Sequence, residues 1–103
     1  MRNNRPTEMY SLDAILHQAV RTQVVACLFE RREVSFMELK RLHHMTDGNL
    51  EGHLKKLISA EYIASRKYMI DGRQHTKYLL TEAGHVALFS YLGSLQKLFG
   101  SLL

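Results

Sequence analysis

A single cysteine, Cys27, leaves no internal disulfide framework and no all-cysteine metal cage open to this chain. No apolar run approaches the roughly 18–20 residues that a membrane-spanning helix needs. A glycine-rich phosphate loop, a nucleophile elbow, a His-Glu-x-x-His pair and a pocket of paired carboxylates are all missing, so catalysis has no foothold and an enzyme is not expected. The basic start, Met1-Arg2-Asn3-Asn4-Arg5-Pro6, has no apolar core or cleavage site after it. A secretory signal is therefore not expected, and the expected compartment is the cytoplasm. Internal repeats and low-complexity tracts are also lacking. Clustered Cys, Asp or Glu partners for the six histidines are missing as well. His43 and His44 are adjacent in a turn, a spacing that does not aim both rings at one tetrahedral ion, and His17 and His85 stand alone in helical segments. No metal and no cofactor are expected, and such histidines suit hydrogen-bonded packing or, for His43 or His44, donation to a phosphate.

What remains is 103 residues of globular composition, 46% hydrophobic and 23% charged, enough for one packed domain. The polar residues 1–10 read as a mobile arm, and 11–103 as a single domain. Fourteen Lys and Arg against ten Asp and Glu give a net +4, which admits a polyanionic partner without requiring one.

Hydrophobic spacing predicts a first helix from about Asp13 to Arg31, with Leu16, Val20, Val24 and Leu28 recurring every four residues and Ile15, Ala19 and Cys27 beside them. Cys27 on that face reads as a packing residue. Glu33-Val34-Ser35 reads as a short extended link. Ser35 with Glu38 then forms a capping box for a short helix, Phe36 to Leu42, with Phe36, Leu39 and Leu42 turned inward. After His43-His44-Met45, Thr46 caps a third helix ending near Ala60, whose stripe is Leu50, Leu54, Leu57 and Ile58. The period then switches to two. Residues 62–70 and 74–80 read as strands joined at Asp71-Gly72, a strong hairpin signal because both central residues of a type I′ turn need positive φ. Thr81 caps a last helix reaching about Phe99.

Two short helices joined by a tight turn and followed by a hairpin make a helix-turn-helix with a wing: a mainly α fold with a small antiparallel β-hairpin. With the leucines of the third helix inward, Gly48, Asn49, Gly52, Lys55 and Lys56 point outward, and Glu51 and His53 lie on the borders. Asn49 suits bidentate pairing with adenine, and Lys55 and Lys56 suit phosphates or guanine. The Thr46 hydroxyl and the first-turn amides offer a helix N-terminus to a phosphate. On the hairpin, Arg66, Lys67, Arg73 and Lys77 are opposed only by Asp71, with Gln74 and His75 as further donors. Cation density beside a reading helix is what DNA contact requires.

The segments His17-x-x-x-Arg21, Phe36-x-x-Leu39, Thr46-Asp47-Gly48-Asn49-Leu50, His53-Leu54-x-x-Leu57, Tyr62-Ile63, Lys67 and Thr76-x-Tyr78-x-Leu80-Thr81-x-x-Gly84 resemble the winged helix-turn-helix transcriptional regulators, closest to the small single-domain type related to the MarR and ArsR repressors. The resemblance spans roughly residues 12–95. It implies a dimeric, sequence-specific DNA binder, usually a repressor. It also implies that Thr46, Asp47, Gly48, Asn49 and His53 lie on or beside the reading helix, with Arg73 near the wing tip. No Cys-x-Cys lies on the reading helix, so the thiolate site of the ArsR-type metal sensors is absent.

The last helix carries only Glu82 and Lys97 as charges, and Leu88, Leu92, Leu95, Phe99 and Leu102 follow a 4-3-4-3 spacing widened by Ala87, Tyr91 and Leu98. That width predicts a homodimer seam made of Leu88, Tyr91, Leu92, Leu95, Leu98, Phe99 and Leu102. A two-fold axis would set two reading helices roughly 34 Å apart and call for a palindromic operator. Two other readings stay open: a protein-interaction module built on the same scaffold without DNA contact, and a regulator of the same fold that answers to an effector or metal.

Overall fold

Asp13 organises the start of the described residues. In the computed structural model, which describes residues 12–100, one Asp13 carboxylate oxygen accepts the backbone N–H groups of Ile15 (2.8 Å) and Leu16 (3.0 Å). That cap closes a separate turn, so the first helix does not begin there as the hydrophobic spacing predicts. Helix α1 spans Ala19–Arg31, capped by extended Gln18, whose side chain accepts the Arg21 N–H. The arm expected at 1–10 and the seam position Leu102 lie outside the described residues.

Strand β1 (Glu33–Ser35), helix α2 (Phe36–His43), helix α3 (Asp47–Ser59), strands β2 (Ile63–Ile70) and β3 (Arg73–Leu80), and helix α4 (Glu82–Gly100) follow. The expected link Glu33-Val34-Ser35 is a true strand. It pairs antiparallel with β3, Val34 opposite Tyr78, which makes a three-stranded sheet of order β1-β3-β2 rather than a bare hairpin. Val34 explains the difference: it is fully buried, and pairing its neighbours satisfies the backbone that this burial removes from water. The β2–β3 turn is as the sequence predicts, with φ of 52° at Asp71 and 76° at Gly72.

The core joins Leu16, Val24, Val25 and Leu28 to Leu39 of α2, Leu50, Leu54 and Leu57 of α3, and Ile63, Tyr78 and Leu80 of the sheet. Leu42 and Ile58, expected inward, stay exposed at 42% and 40%, because three leucines of α3 and one of α2 already fill the space between those helices. Ser35 accepts the Glu38 N–H at 3.1 Å, but the Glu38 carboxylate turns to Arg31 at 3.2 Å, so only half of the capping box forms.

The second Asp13 oxygen accepts the Tyr62 hydroxyl at 2.6 Å, fastening the N-terminal turn to the start of β2. That hydrogen bond, with burial adding to it, pushes the Tyr62 phenol from 10.0 up to about 12. A raised folded-state value means that the stabilisation is whole below pH 10 and fades as pH climbs toward 12. The Tyr62→Phe variant should be less stable than wild type at pH 8 by about 1 kcal/mol, the usual net value of such a bond. The gap should close by pH 12, as read from urea midpoints across the alkaline range.

Candidate nucleic-acid interface

Helix α2 ends on His44 in the left-handed conformation (φ 51°, ψ 49°), which reverses the chain within the His44-Met45-Thr46 turn. Thr46 then caps α3 by accepting the Asn49 N–H at 3.2 Å. Lys40 pairs with Asp47 at 2.7 Å and fastens α2 to the first turn of α3. The resemblance places Asp47 on or beside the reading helix; in the structure its charge is engaged by Lys40, a pairing that only the crossing of the two helices reveals.

The outward surface of α3 is open. Gly48 and Gly52 have empty space where a Cβ would stand, and Thr46, Asn49, Glu51, Lys55 and Lys56 are exposed. Lys55 and Lys56 make no ion pair among the described residues. His53 sits half-buried at the border, and burial with the nearby Arg21 and Lys56 charges holds its imidazole below the usual range, so it is neutral at pH 7. Burial also lowers His43, whose Nε2 is enclosed without a hydrogen-bond partner among the described residues.

The pairing register divides the wing residues between two faces. Lys67 faces Thr76 and Met69 faces Gln74, on the side that carries Tyr78 and Leu80 into the core. Arg66 opposite Lys77, Tyr68 opposite His75, and Ile70 opposite Arg73 lie on the other side. There Arg66 is not the free cation that the sequence suggests. Its Nε and Nη2 donate to Glu33 at 3.0 and 2.7 Å, and the Tyr68 hydroxyl donates to the same oxygen at 2.9 Å. The Arg66 hydrogen bonds, then that of Tyr68, hold the Glu33 carboxyl below its ordinary value. Lys77 lies 4.9 Å from the Tyr68 ring centre, a cation–π contact. Lys67, Arg73 and Gln74 remain exposed.

A cleft of about 740 Å³ separates α2 and the start of α3 from Gln74, His75 and Thr76 of the wing. Exposed Arg41 lines it, a cation the sequence reading passed over although the Lys40-Arg41 pair in the last turn of α2 signals it.

On α4, Leu88 and Tyr91 are corrections to the expected seam: both are buried in this chain's own core, and the Tyr91 hydroxyl lies 2.9 Å from His17 Nδ1. Leu95 is half-buried against the same core, and Leu98 is partly covered. Leu92 and Phe99 are exposed, together with Val86 and Phe89, which the spacing did not pick out. Phe29 of α1 meets Phe89 edge-on at 5.4 Å, so the exposed apolar face runs from α4 onto α1. Cys27 is half-buried, and burial pushes its thiol up, as suits a packing residue. Among the described residues no cluster of His, Cys, Asp and Glu could hold a metal ion, and no helix is long and apolar enough to cross a membrane.

A capped helix with an open outer face, set across a short turn from its supporting helix and beside a two-stranded ribbon, defines a winged helix-turn-helix protein. Residues 20–99 match the winged helix DNA-binding domain family, and the chain belongs to that family. Its fold is that of transcriptional regulators and not of an enzyme. An uncharacterized protein of Methanocaldococcus jannaschii is 37% identical over 78 residues, which cover 76% of this chain and 85% of that one. The structure of a transcriptional regulator homologue from Pyrococcus horikoshii superposes with a TM-score of 0.84 at 26% identity, covering 94% of this chain and 95% of the other. Bacillus subtilis PadR, solved in complex with operator DNA, shares the fold at 18% identity with a TM-score of 0.64, over 73% of this chain and 48% of its own.

Proposed function

We propose that the protein is a homodimeric transcriptional repressor that binds a palindromic operator in double-stranded DNA. Helix α3 lies in the major groove, where Asn49 reads a base and Lys55 and Lys56 hold phosphates. Lys67, Arg73 and Gln74 of the wing lie against the neighbouring backbone. The observation that carries the reading is the bare outer surface of α3, where Gly48 and Gly52 permit close approach and Asn49 has no side-chain partner among the described residues. PadR, which shares the fold, was solved on its operator, and this supports the same use of the fold here.

Residues 11–103 act as one unit in the cytoplasm, with the segment 81–103, which contains α4, pairing the subunits. The dimer face is Phe29, Val86, Phe89, Leu92 and Phe99, an apolar surface that spans two helices and is left uncovered by the described residues. Such contiguous apolar surface marks an interface, and two-fold pairing through it accounts for a palindromic site.

Selection of bound duplexes from a random library tests the whole reading, with a two-fold symmetric consensus as the expected result. Asn49→Ala should then cost about 1–3 kcal/mol on the selected duplex and relax preference at one base pair. Equal loss on selected and random DNA would remove Asn49 from base reading. A log–log salt plot without a steep slope would favour a protein partner over DNA.

A further inference from the structure

The hairpin ends in two large apolar side chains that the core does not use. Met69 is 69% exposed and Ile70 is 47% exposed, at the last two positions of β2 before the Asp71-Gly72 turn. Their cross-strand partners are Gln74 and Arg73, so neither gains an apolar neighbour from the pairing. Single exposed apolar residues are ordinary and need no explanation. This pair is different in placement. Being consecutive on a strand, the two side chains leave the ribbon on opposite faces. The tip is therefore apolar on both sides and only as thick as a two-residue turn. Lys67 and Arg73 flank it without any ion pair among the described residues, and Asp71 is the one acid at the turn. Across the adjacent cleft stand the first residues of α3.

We propose that Met69 and Ile70 form an apolar wedge that seats in the DNA minor groove next to the major-groove site of α3, with Arg73 on the phosphates that border that groove. The inference deepens the DNA-binding reading and rests on it. The minor groove is roughly 6 Å wide and 7.5 Å deep. That is too narrow for a whole two-stranded ribbon with its side chains, but it admits a turn and the two side chains beside it. Apolar side chains inserted there contact the sugar walls and partly unstack a base step, kinking the duplex toward the major groove. The unbranched Met69 has the reach and adaptability for an irregular step. Reading of this kind depends on how easily a step deforms. The operator should therefore carry flexible pyrimidine–purine steps at the wing positions, although no base edge is hydrogen-bonded there. The position beside the open face of α3 singles out DNA over an anionic lipid surface as the occupant.

The test uses the full chain on a duplex selected from the random library, with affinity measured across salt and bend angle measured by energy transfer between end labels. Met69→Ser/Ile70→Ser should bind roughly tenfold more weakly per subunit, as expected when two partly buried apolar contacts are lost from each. It should bend the duplex less and keep the wild-type salt slope, because no charge is removed. Arg73→Ala is the opposite control, with a slope shallower by about 1 per subunit. The chain contains no tryptophan, so Ile70→Trp introduces a single fluorophore at the tip. Its emission should be quenched and shielded from acrylamide by duplex. Both serine positions are exposed, so folding is not at stake. Wild-type affinity and bend in the double serine variant would overturn the wedge and leave the DNA reading standing. Binding of wild type to phosphatidylglycerol vesicles that the double variant loses, with duplex affinity unchanged, would assign the tip to lipid and overturn the wedge. Absence of salt-dependent duplex binding by wild type would overturn both together.

Discussion

Gly84→Ala should destabilise the protein by about 3 kcal/mol, the upper part of the range for overpacking a well-filled site. Gly84 lies in the first turn of α4, where intrinsic propensity would favour alanine by roughly 0.5–1 kcal/mol. Packing reverses that sign. An added Cβ would fall well inside van der Waals contact of the Tyr62 carbonyl oxygen, 2.6 Å from Leu80 Cδ1 and 3.0 Å from the Tyr62 carbonyl carbon. Leu80 could turn aside, but the Tyr62 carbonyl is main chain, and it accepts both the Thr81 N–H and the Thr81 hydroxyl at 3.0 Å. The same hydroxyl accepts the Gly84 N–H at 3.0 Å. The methyl therefore cannot be accommodated without prising α4 from the sheet or breaking the Thr81 cap. For a domain whose total stability is on the order of 5–15 kcal/mol, the loss is large. It should lower the thermal midpoint by roughly 12–24 °C. Urea unfolding with an unchanged slope and a lowered midpoint is the check; a midpoint at or above wild type would contradict the packing described for this helix end.

Lys55→Ala/Lys56→Ala should weaken binding to every duplex by on the order of fifty- to a hundredfold per subunit at 0.1 M salt, with little effect on sequence preference. Each phosphate contact contributes a slope of about 0.9 to the log–log salt plot, which is about eightfold in affinity at that concentration. The slope should accordingly become shallower by about 2 per subunit. Both lysines are exposed and free of ion pairs among the described residues, so their charge is available to a polyanion. Lys56 lies in the last turn of α3, where its charge suits the helix dipole; the double variant should lose no more than about 1 kcal/mol of stability. An unchanged slope would mean that this surface does not meet phosphate. Comparison with Asn49→Ala separates the two roles, since one loss is uniform and the other depends on sequence.

Much of the architecture is legible in short stretches of the chain. The caps at Ser35, Thr46 and Thr81 form hydrogen bonds to the third residue of their helices, as local chemistry demands. Asp71-Gly72 takes the positive φ values that a tight hairpin requires. Leu50, Leu54 and Leu57 turn inward, so the outward direction of Asn49, Lys55 and Lys56 follows from the helical period alone. The misplaced start of α1 has a local cause too, because the Asp13 carboxylate can cap either a long helix or a single closed turn, and sequence does not distinguish them.

Other assignments depend on groups far apart in sequence. Arg66 reads as a wing cation until Glu33, thirty-three residues away, is brought beside it by the pairing of β1 and β2 with β3. Asp47 reads only as a first-turn residue of its helix until α2 presents Lys40 to it. The α4 stripe shows an apolar helix without showing which apolar residues close this core and which are left over. Packing against α1 and the sheet buries Leu88 and Tyr91 and leaves Val86, Phe89, Leu92 and Phe99 outside.

The sequence by itself determined the order of helices and strands, the caps and turn that bound them, and the outward direction of Asn49, Lys55 and Lys56 on α3. Those are properties of local conformational preference and of periodicity, which act over a few residues. Only the tertiary structure decided which charges are neutralised before any partner arrives, which face of α4 is spare, and why residue 84 must be glycine. Those outcomes are set by contacts between segments distant in the chain, where competition for one carboxylate, one cavity or one carbonyl oxygen is resolved.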